Sequence, residues 1–259
     1  MTALHVESSG HGPSIVLLHG WAMHSGVWAP LVQHLAKRHR VHAVDLPGHG
    51  RSAPLPSFGV AAIVEQLDAA FHAERMPMAV VGWSLGGLIA LAWSLSHEQR
   101  VARLGLVATT PRFAADDSWR CAMSPQTLQR FGDELEVAWK ATVLRFLTLQ
   151  MRGSEQGHRV LTALRGELFA RGEPSRRTLA QALGVLATTD LRADVGRIVQ
   201  PALVIQGDRD TLVPPAAGDW LAAALPNGRF AGIAGAAHVP FLSHPAEFNA
   251  VLEDFLDAR

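Results

Sequence analysis

One serine stands among glycines and apolar residues in Gly82-Trp83-Ser84-Leu85-Gly86. A hydroxyl becomes a useful nucleophile when a base takes its proton and a carboxylate orients that base. The G-x-S-x-G spacing suits such a serine. The preceding "MAVVGW" reads as a strand and the following "SLGGLIALAWSLS" as a helix, so Ser84 falls on a sharp strand-to-helix bend. Flanking glycines leave room for the bend. The helix that opens there adds a positive dipole end near developing negative charge. Two plainer readings compete. One is a Gly-Ser turn without chemistry. The other is a membrane span, because Met76 to Ser96 contains no charged residue and has the length to cross a bilayer. Pro77, Gly82, Gly86 and Gly87 break that run, and a buried strand, turn and helix fit it equally well.

A serine nucleophile of this kind is followed along the chain by an acid and then a histidine, each just after a strand. "VIQGDRDTLVP" ends one strand and offers Asp208 and Asp210; "GIAGAAHVPF" ends the next and offers His238. The chain has 13 histidines, so position rather than type selects among them. His238 lies in a small-residue loop after the last strand. His244 precedes Pro245 and reads as a cap or packing residue, and His19 as a support for a neighbouring loop. Asp208 directly follows Gly207 and suits a turn, whereas Asp210 reaches further, so Asp210 is favoured. An oxyanion needs two backbone N–H donors. Leu85, next to the nucleophile, supplies one, and Trp21 in His19-Gly20-Trp21-Ala22 the other. "DLPGHGRS" (45–52) lacks the lysine and spacing of a phosphate-binding loop and reads as structural.

These residues need a scaffold. Strand-like runs at 14–20 and 101–109, and at 40–52 a strand leading into a glycine-rich loop, alternate with helical stretches at 27–38 and 60–73. Their apolar length suggests strands buried on both faces of a mostly parallel sheet. From about Pro111 to Asp190 strand signals vanish and helical ones dominate, as at 135–152 and 176–189. Alternation then resumes with a strand at 201–207, a helix at 214–224, a strand at 228–233 and a helix at 245–258. The expected organisation is a doubly wound α/β core formed by 1–110 and 191–259. A helical cap of 111–190 interrupts it, too long to be a simple loop.

Composition bounds the function. The 259 residues suit one such domain, and 48% hydrophobic residues supply a sizeable core. Twenty-three basic residues balance 23 acidic ones, which argues against a nucleic-acid partner. The one cysteine, Cys121, permits no internal disulfide and no thiolate metal cluster, and points to a reducing, cytoplasmic setting. No basic segment followed by an apolar run marks a signal peptide at the N-terminus.

Taken in order, H-G-W, D-L-P-G-H-G-R-S, G-W-S-L-G-G, G-D-x-D-x-x-V-P and A-A-H-x-P-F resemble the α/β-hydrolase superfamily over nearly the whole chain. Further segments, "LLHGWAM", "RFLTLQ" (145–150), "TTDLR" (188–192) and "AAHVPFLSHPAEF" (236–248), are similar to the pimeloyl-[acyl-carrier protein] methyl ester esterases of biotin synthesis, the BioH family. The resemblance implies hydrolysis of a methyl ester on a carrier-bound acyl chain, releasing methanol and sparing the thioester. It implies a triad of Ser84, Asp210 and His238, and neither metal nor cofactor. It places substrate contacts on Trp21, Ser84, Leu85, His238 and the cap segment Phe146, Leu147, Thr148, Leu149 and Gln150. Those apolar cap positions also fit a plain cap core.

A charge pattern bears on the same partner. Ala138 to Arg177 holds eight basic residues against three acidic ones in a neutral chain. Such a stretch suits steering of an acidic acyl-carrier protein, and equally a solvated helix face. Arg145, Arg152 and Arg159 share one helix face if the helix continues past Gly153 and Gly157, and Arg145 is the first choice for docking. A monomer is expected, with no membrane partner. The alternatives are a generic short-chain esterase or another Ser-His-Asp hydrolase of this fold, and a silent hydrolase fold that binds a ligand.

Overall fold

Runs of valine, leucine and isoleucine with little alternation belong to strands covered on both sides, and they build the centre of one sheet. The computed structural model describes residues 4–258. Among the described residues the strands are β1 (Val6–Ser9), β2 (Ser14–Leu18), β3 (Arg40–Val44), β4 (Met78–Trp83), β5 (Val101–Val107), β6 (Ala202–Gly207) and β7 (Gly228–Ile233). Their spatial order is β1-β3-β2-β4-β5-β6-β7. Only β1 runs antiparallel to its neighbour; the other pairs are parallel. The sheet is therefore mostly parallel, as expected. β1, short and polar, carried no readable strand signal.

The helices are α1 (Ala29–Leu35), α2 (Val60–Ala70), α3 (Leu85–Ser96), α4 (Pro125–Gln150), α5 (Gly157–Glu167), α6 (Arg176–Thr188), α7 (Pro215–Ala224), α8 (Pro240–Ser243) and α9 (Pro245–Asp257). The chain leaves β2 for β3 through α1, then reverses direction towards β4 and β5. Right-handed crossovers put helices on opposite faces when the direction reverses. On one face α1 meets α9, where His34 Nε2 lies 2.9 Å from Glu253 Oε1. The uncharged run 76–96 resolves into β4, a turn and the 12-residue α3, whose residues 85–94 are all buried. No helix among the described residues is long and apolar enough to cross a membrane.

Between β5 and β6 come α4, α5 and α6 and no strand of the sheet. The two ends of this insertion are clasped: the Leu191 N–H donates to the Pro111 carbonyl at 3.0 Å, and Arg112 pairs with Asp190 at 3.0 Å. α4 starts ten residues before the expected 135, where Ser124 caps it and Pro125 opens it. It bends at Ala138 (φ −144°, ψ 53°), joining two helical pieces. It ends at Gln150, and a turn through Gly153 (φ 85°) precedes α5. Arg145, Arg152 and Arg159 are thus split between α4, the turn and α5. The single helix face they would share is absent, because the glycine turn ends the helix.

Candidate active site

Parallel strands end on one edge of the sheet, and the residues selected above follow the ends of β2, β4, β6 and β7. Ser84 follows β4 with φ 54° and ψ −117°, a region costing a non-glycine residue about 1–3 kcal/mol. Hydrogen bonds hold it there. Its N–H donates to the Val107 carbonyl at 2.9 Å, and its carbonyl accepts the Gly87 N–H at 3.0 Å and the Thr109 hydroxyl at 2.7 Å. The glycines are steric necessities. A Cβ on Gly82 would lie 2.3 Å from the Gly86 carbonyl oxygen, and one on Gly86 would lie 2.2 Å from that of Leu18. The other non-glycine residues with positive φ among those described are Ala22 and Ala108. Ala22 belongs to the loop after β2 and Ala108 follows β5, so the backbone strain gathers at this edge.

Asp210 and His238 meet. His238 Nδ1 donates to Asp210 Oδ2 at 2.7 Å. The Leu212 and Val213 N–H groups donate to Asp210 Oδ1 at 2.9 and 3.0 Å. With Nδ1 carrying the proton, His238 Nε2 is left as the basic atom, and it is buried without a partner among the described residues. Asp208 instead accepts the Gly235 N–H at 2.8 Å and is exposed; it holds the turn. The His238 loop is fixed from two sides. Its N–H donates to the Gln150 carbonyl at 3.1 Å, and its carbonyl accepts the Trp83 indole N–H at 2.8 Å.

The loop after β2 presents the candidate oxyanion donors. Buried His19 donates from Nδ1 to the Gly20 carbonyl at 2.8 Å and accepts the Leu46 N–H at Nε2 at 3.0 Å. Acceptance at Nε2 requires a neutral ring with its proton on Nδ1. Burial, with help from His49, pushes its pKa down to about 3. The Trp21 N–H shares a planar trans peptide with that Gly20 carbonyl, so it points the opposite way. Among the described hydrogen bonds no acceptor takes the Trp21 or Leu85 N–H. "DLPGHGRS" is a brace: the Asp45 carboxylate accepts the Ser25 N–H at 2.7 Å and the Arg51 N–H at 2.9 Å.

The segment Phe146 to Gln150 does not act as one surface, because successive helical residues turn by about 100°. Phe146, Leu147 and Gln150 are buried. The Phe146 ring stands edge-on to Trp21 at 4.8 Å between centroids, and the Trp21 indole N–H donates to the Leu179 carbonyl of α6 at 3.0 Å. Thr148 is exposed and its hydroxyl turns back to the Leu144 carbonyl. Leu149 lies on an outer cavity of about 530 Å³ with Phe131, Arg130 and Arg145. A contact from Thr148 to a ligand at Ser84 is thus not supported by its direction. Among the described residues no cluster of side chains suits a metal ion.

Several residues at this edge escaped the sequence. Thr109, Trp83 and Gln206 all brace the site by hydrogen bonds. Only Gln206 left a trace, as a polar residue inside the apolar run "ALVIQG".

An alpha/beta hydrolase fold family matches residues 13–245. The chain is 45% identical to a pimeloyl-[acyl-carrier protein] methyl ester esterase of Chromobacterium violaceum, with 99% of each covered. It is 42% identical to the enzyme of the same name from Nitrosomonas europaea, covering 96% of this chain and 97% of that one. Among solved structures, an esterase from Exiguobacterium antarcticum superposes with a TM-score of 0.91 at 20% identity, covering 99% and 96%. An enol-lactonase from Burkholderia xenovorans superposes at 0.86 and 24% identity, covering 98% and 96%. These two likenesses speak to the fold alone.

Proposed function

From a chain that belongs to the alpha/beta hydrolase family, and within it to the pimeloyl-[acyl-carrier protein] methyl ester esterases, we infer a serine carboxylesterase that frees the acid of a carrier-bound pimeloyl methyl ester in biotin synthesis. The single observation that carries the chemistry is the Asp210–His238 pair, 2.7 Å apart, with the His238 loop hydrogen-bonded to Trp83, the residue before the strained Ser84.

The proposed reaction runs in two halves. His238 Nε2 takes the Ser84 proton as Oγ attacks the ester carbonyl. The Trp21 and Leu85 N–H groups receive the oxyanion, aided by the N-terminus of α3. Collapse expels methoxide, which leaves as methanol with the proton from His238. Water, deprotonated by His238, then attacks the acyl-serine, and Ser84 regains its proton as the free acid departs. Asp210 keeps the proton on Nδ1 and balances the imidazolium. No metal or cofactor enters this scheme.

The insertion 111–190 is read as a cap over a core of 1–110 and 191–259. Its role in binding rests on an aromatic series. Trp21 touches Phe146, and Phe146 stands edge-on to Phe131 at 5.6 Å. Phe131 in turn lines the outer cavity beside Arg145. We read Phe146 as a wall of the acyl channel, with Leu147 and Gln150 behind it and Leu149 at the outer end. Arg145 is the proposed contact for the acidic acyl-carrier protein, with Arg152 and Arg159 as separate exposed charges rather than one stripe. Arg145 is not idle: its guanidinium lies 4.9 Å over the Phe131 ring and pairs with Glu134 at 2.9 Å. A monomeric protein in the cytoplasm suits this reading.

The test is genetic. The wild-type chain should restore growth without biotin to a bacterial strain lacking its own esterase of this kind. Failure, together with brisk turnover of a simple aryl ester, would favour the generic esterase.

A further inference from the structure

β6 carries a glutamine where its neighbours are Val204 and Ile205. Gln206 is fully buried, a costly place for an amide unless its hydrogen bonds are used. Its nitrogen is used twice. Nε2 donates to Asp210 Oδ2 at 2.9 Å and to the Val213 carbonyl at 2.9 Å. Both partners are pure acceptors, which fixes the orientation of the amide. The other end is empty-handed: Gln206 Oε1 is buried with no partner among the described residues. It faces Gly218 of α7, where an added Cβ would come within 3.2 Å of it. A side chain present only to fill this slot would serve better as leucine or methionine.

The contact with Asp210 falls on a specific oxygen. Oδ2 is the atom that receives the His238 Nδ1 proton, while Oδ1 is held by the two backbone N–H groups of the turn. Among the described ion pairs, His238 is the partner of Asp210; no lysine or arginine joins it. Nearby charges look elsewhere. Arg209 reaches the Gly153 carbonyl and Glu155, and Asp208 holds the Gly235 N–H. Among the described residues Gln206 is therefore the one side-chain donor besides His238 on this buried carboxylate. Val213 closes a ring, since it donates its N–H to Oδ1 and takes the second Gln206 proton at its carbonyl.

We infer that Gln206 is a positioning residue for the reaction: its amide locks the rotation of the Asp210 carboxylate so that Oδ2, already oriented, faces His238. The inference rests on the reading of Asp210 and His238 as catalytic partners. Without the amide, the carboxylate keeps its backbone bonds at Oδ1 but gains freedom at the oxygen that matters. The imidazole then spends less time with Nε2 turned to the serine. Substrate binding is untouched, because Gln206 lies behind Asp210 and not in the acyl channel.

The test uses the full chain and a short aryl ester, with active sites counted by a serine-reactive organophosphonate. Gln206→Met keeps length and volume and removes the donor. It should lower kcat about tenfold or more, as small misplacements of catalytic groups do, with KM within about twofold of wild type and the thermal midpoint little changed. Gln206→Glu keeps the shape but sets a carboxyl against a carboxylate. It should work only while that carboxyl holds a proton to donate, so its turnover should fall with rising pH where the wild type is flat. Unchanged kcat per titrated site in Gln206→Met, or a Gln206→Glu pH profile parallel to wild type, would overturn the inference even if both variants melt early. Asp210→Asn separates the two levels. If it keeps full turnover, the catalytic reading of Asp210 fails; if it is crippled while Gln206→Met is not, only the role of Gln206 fails.

Discussion

At Asp210 and Asp208, two carboxylates two residues apart have separate tasks. One faces a buried imidazole and the other ties a turn. Asp210→Asn should therefore cut kcat by about 10⁴ through the wrong histidine tautomer, while Asp208→Asn, whose amide oxygen still accepts the Gly235 N–H, costs activity far less; steady-state kinetics on an aryl ester decide between them. The loop histidines make a different prediction. Burial holds the pKa of His19 at about 3 and that of His49 at about 4, against 6.5 in an open chain. Between pH 6.5 and 4 the unfolded chain thus binds protons that the folded one refuses. Their contribution is whole above pH 6.5 and is lost as pH falls, by about 1.4 kcal/mol per pH unit for each histidine. The Asp190 carboxyl, held at about 2 chiefly by Arg192, titrates below that window. Urea unfolding at pH 7, 6, 5 and 4.5 should show the decline, and His49→Gln should flatten it. Equal stability at pH 7 and 5 would contradict the neutral pair.

Elements that obey strong local rules were legible in the residues. β4, α3 and β6 fall where the apolar runs and glycine breaks put them, because almost every residue of each is buried; β7 falls at its expected place although it is a largely exposed edge strand. The candidate serine, acid and histidine were selected from those strand ends. The insertion was legible only in outline. α4 is amphipathic over both pieces, and its bend at Ala138 carries no proline or glycine to announce it. Gln206, Thr109 and Trp83 act through contacts distant in sequence or through an amide that no motif records. Glycines mark the contrast between elements. Gly82→Ala should abolish activity and lower the melting temperature, since its Cβ meets backbone at 2.3 Å. Gly184→Ala, inside α6 with nothing within 4 Å, should stabilise the protein by about 0.5–1 kcal/mol, read by urea unfolding; a loss of stability there would show α6 strained.

Within the neutral molecule, positive charge is in excess on one part of the insertion, Ala138 to Arg177, with eight basic residues against three acidic ones. Charge reversal at Arg145 should raise KM for a carrier-linked ester and leave KM for a small ester alone, whereas Glu134→Gln, by freeing Arg145 from its ion pair, should lower the former. Equal changes for both substrates would remove the docking reading. The most direct test of the whole account is to mix the purified protein with pimeloyl methyl ester attached to its acyl-carrier protein and to follow methanol release and the mass of the carrier. Wild type should convert the ester to the free acid with the thioester intact, and Ser84→Ala should leave it unaltered. Turnover that survives Ser84→Ala, or release of the acyl chain from the carrier instead of methanol, would contradict the account.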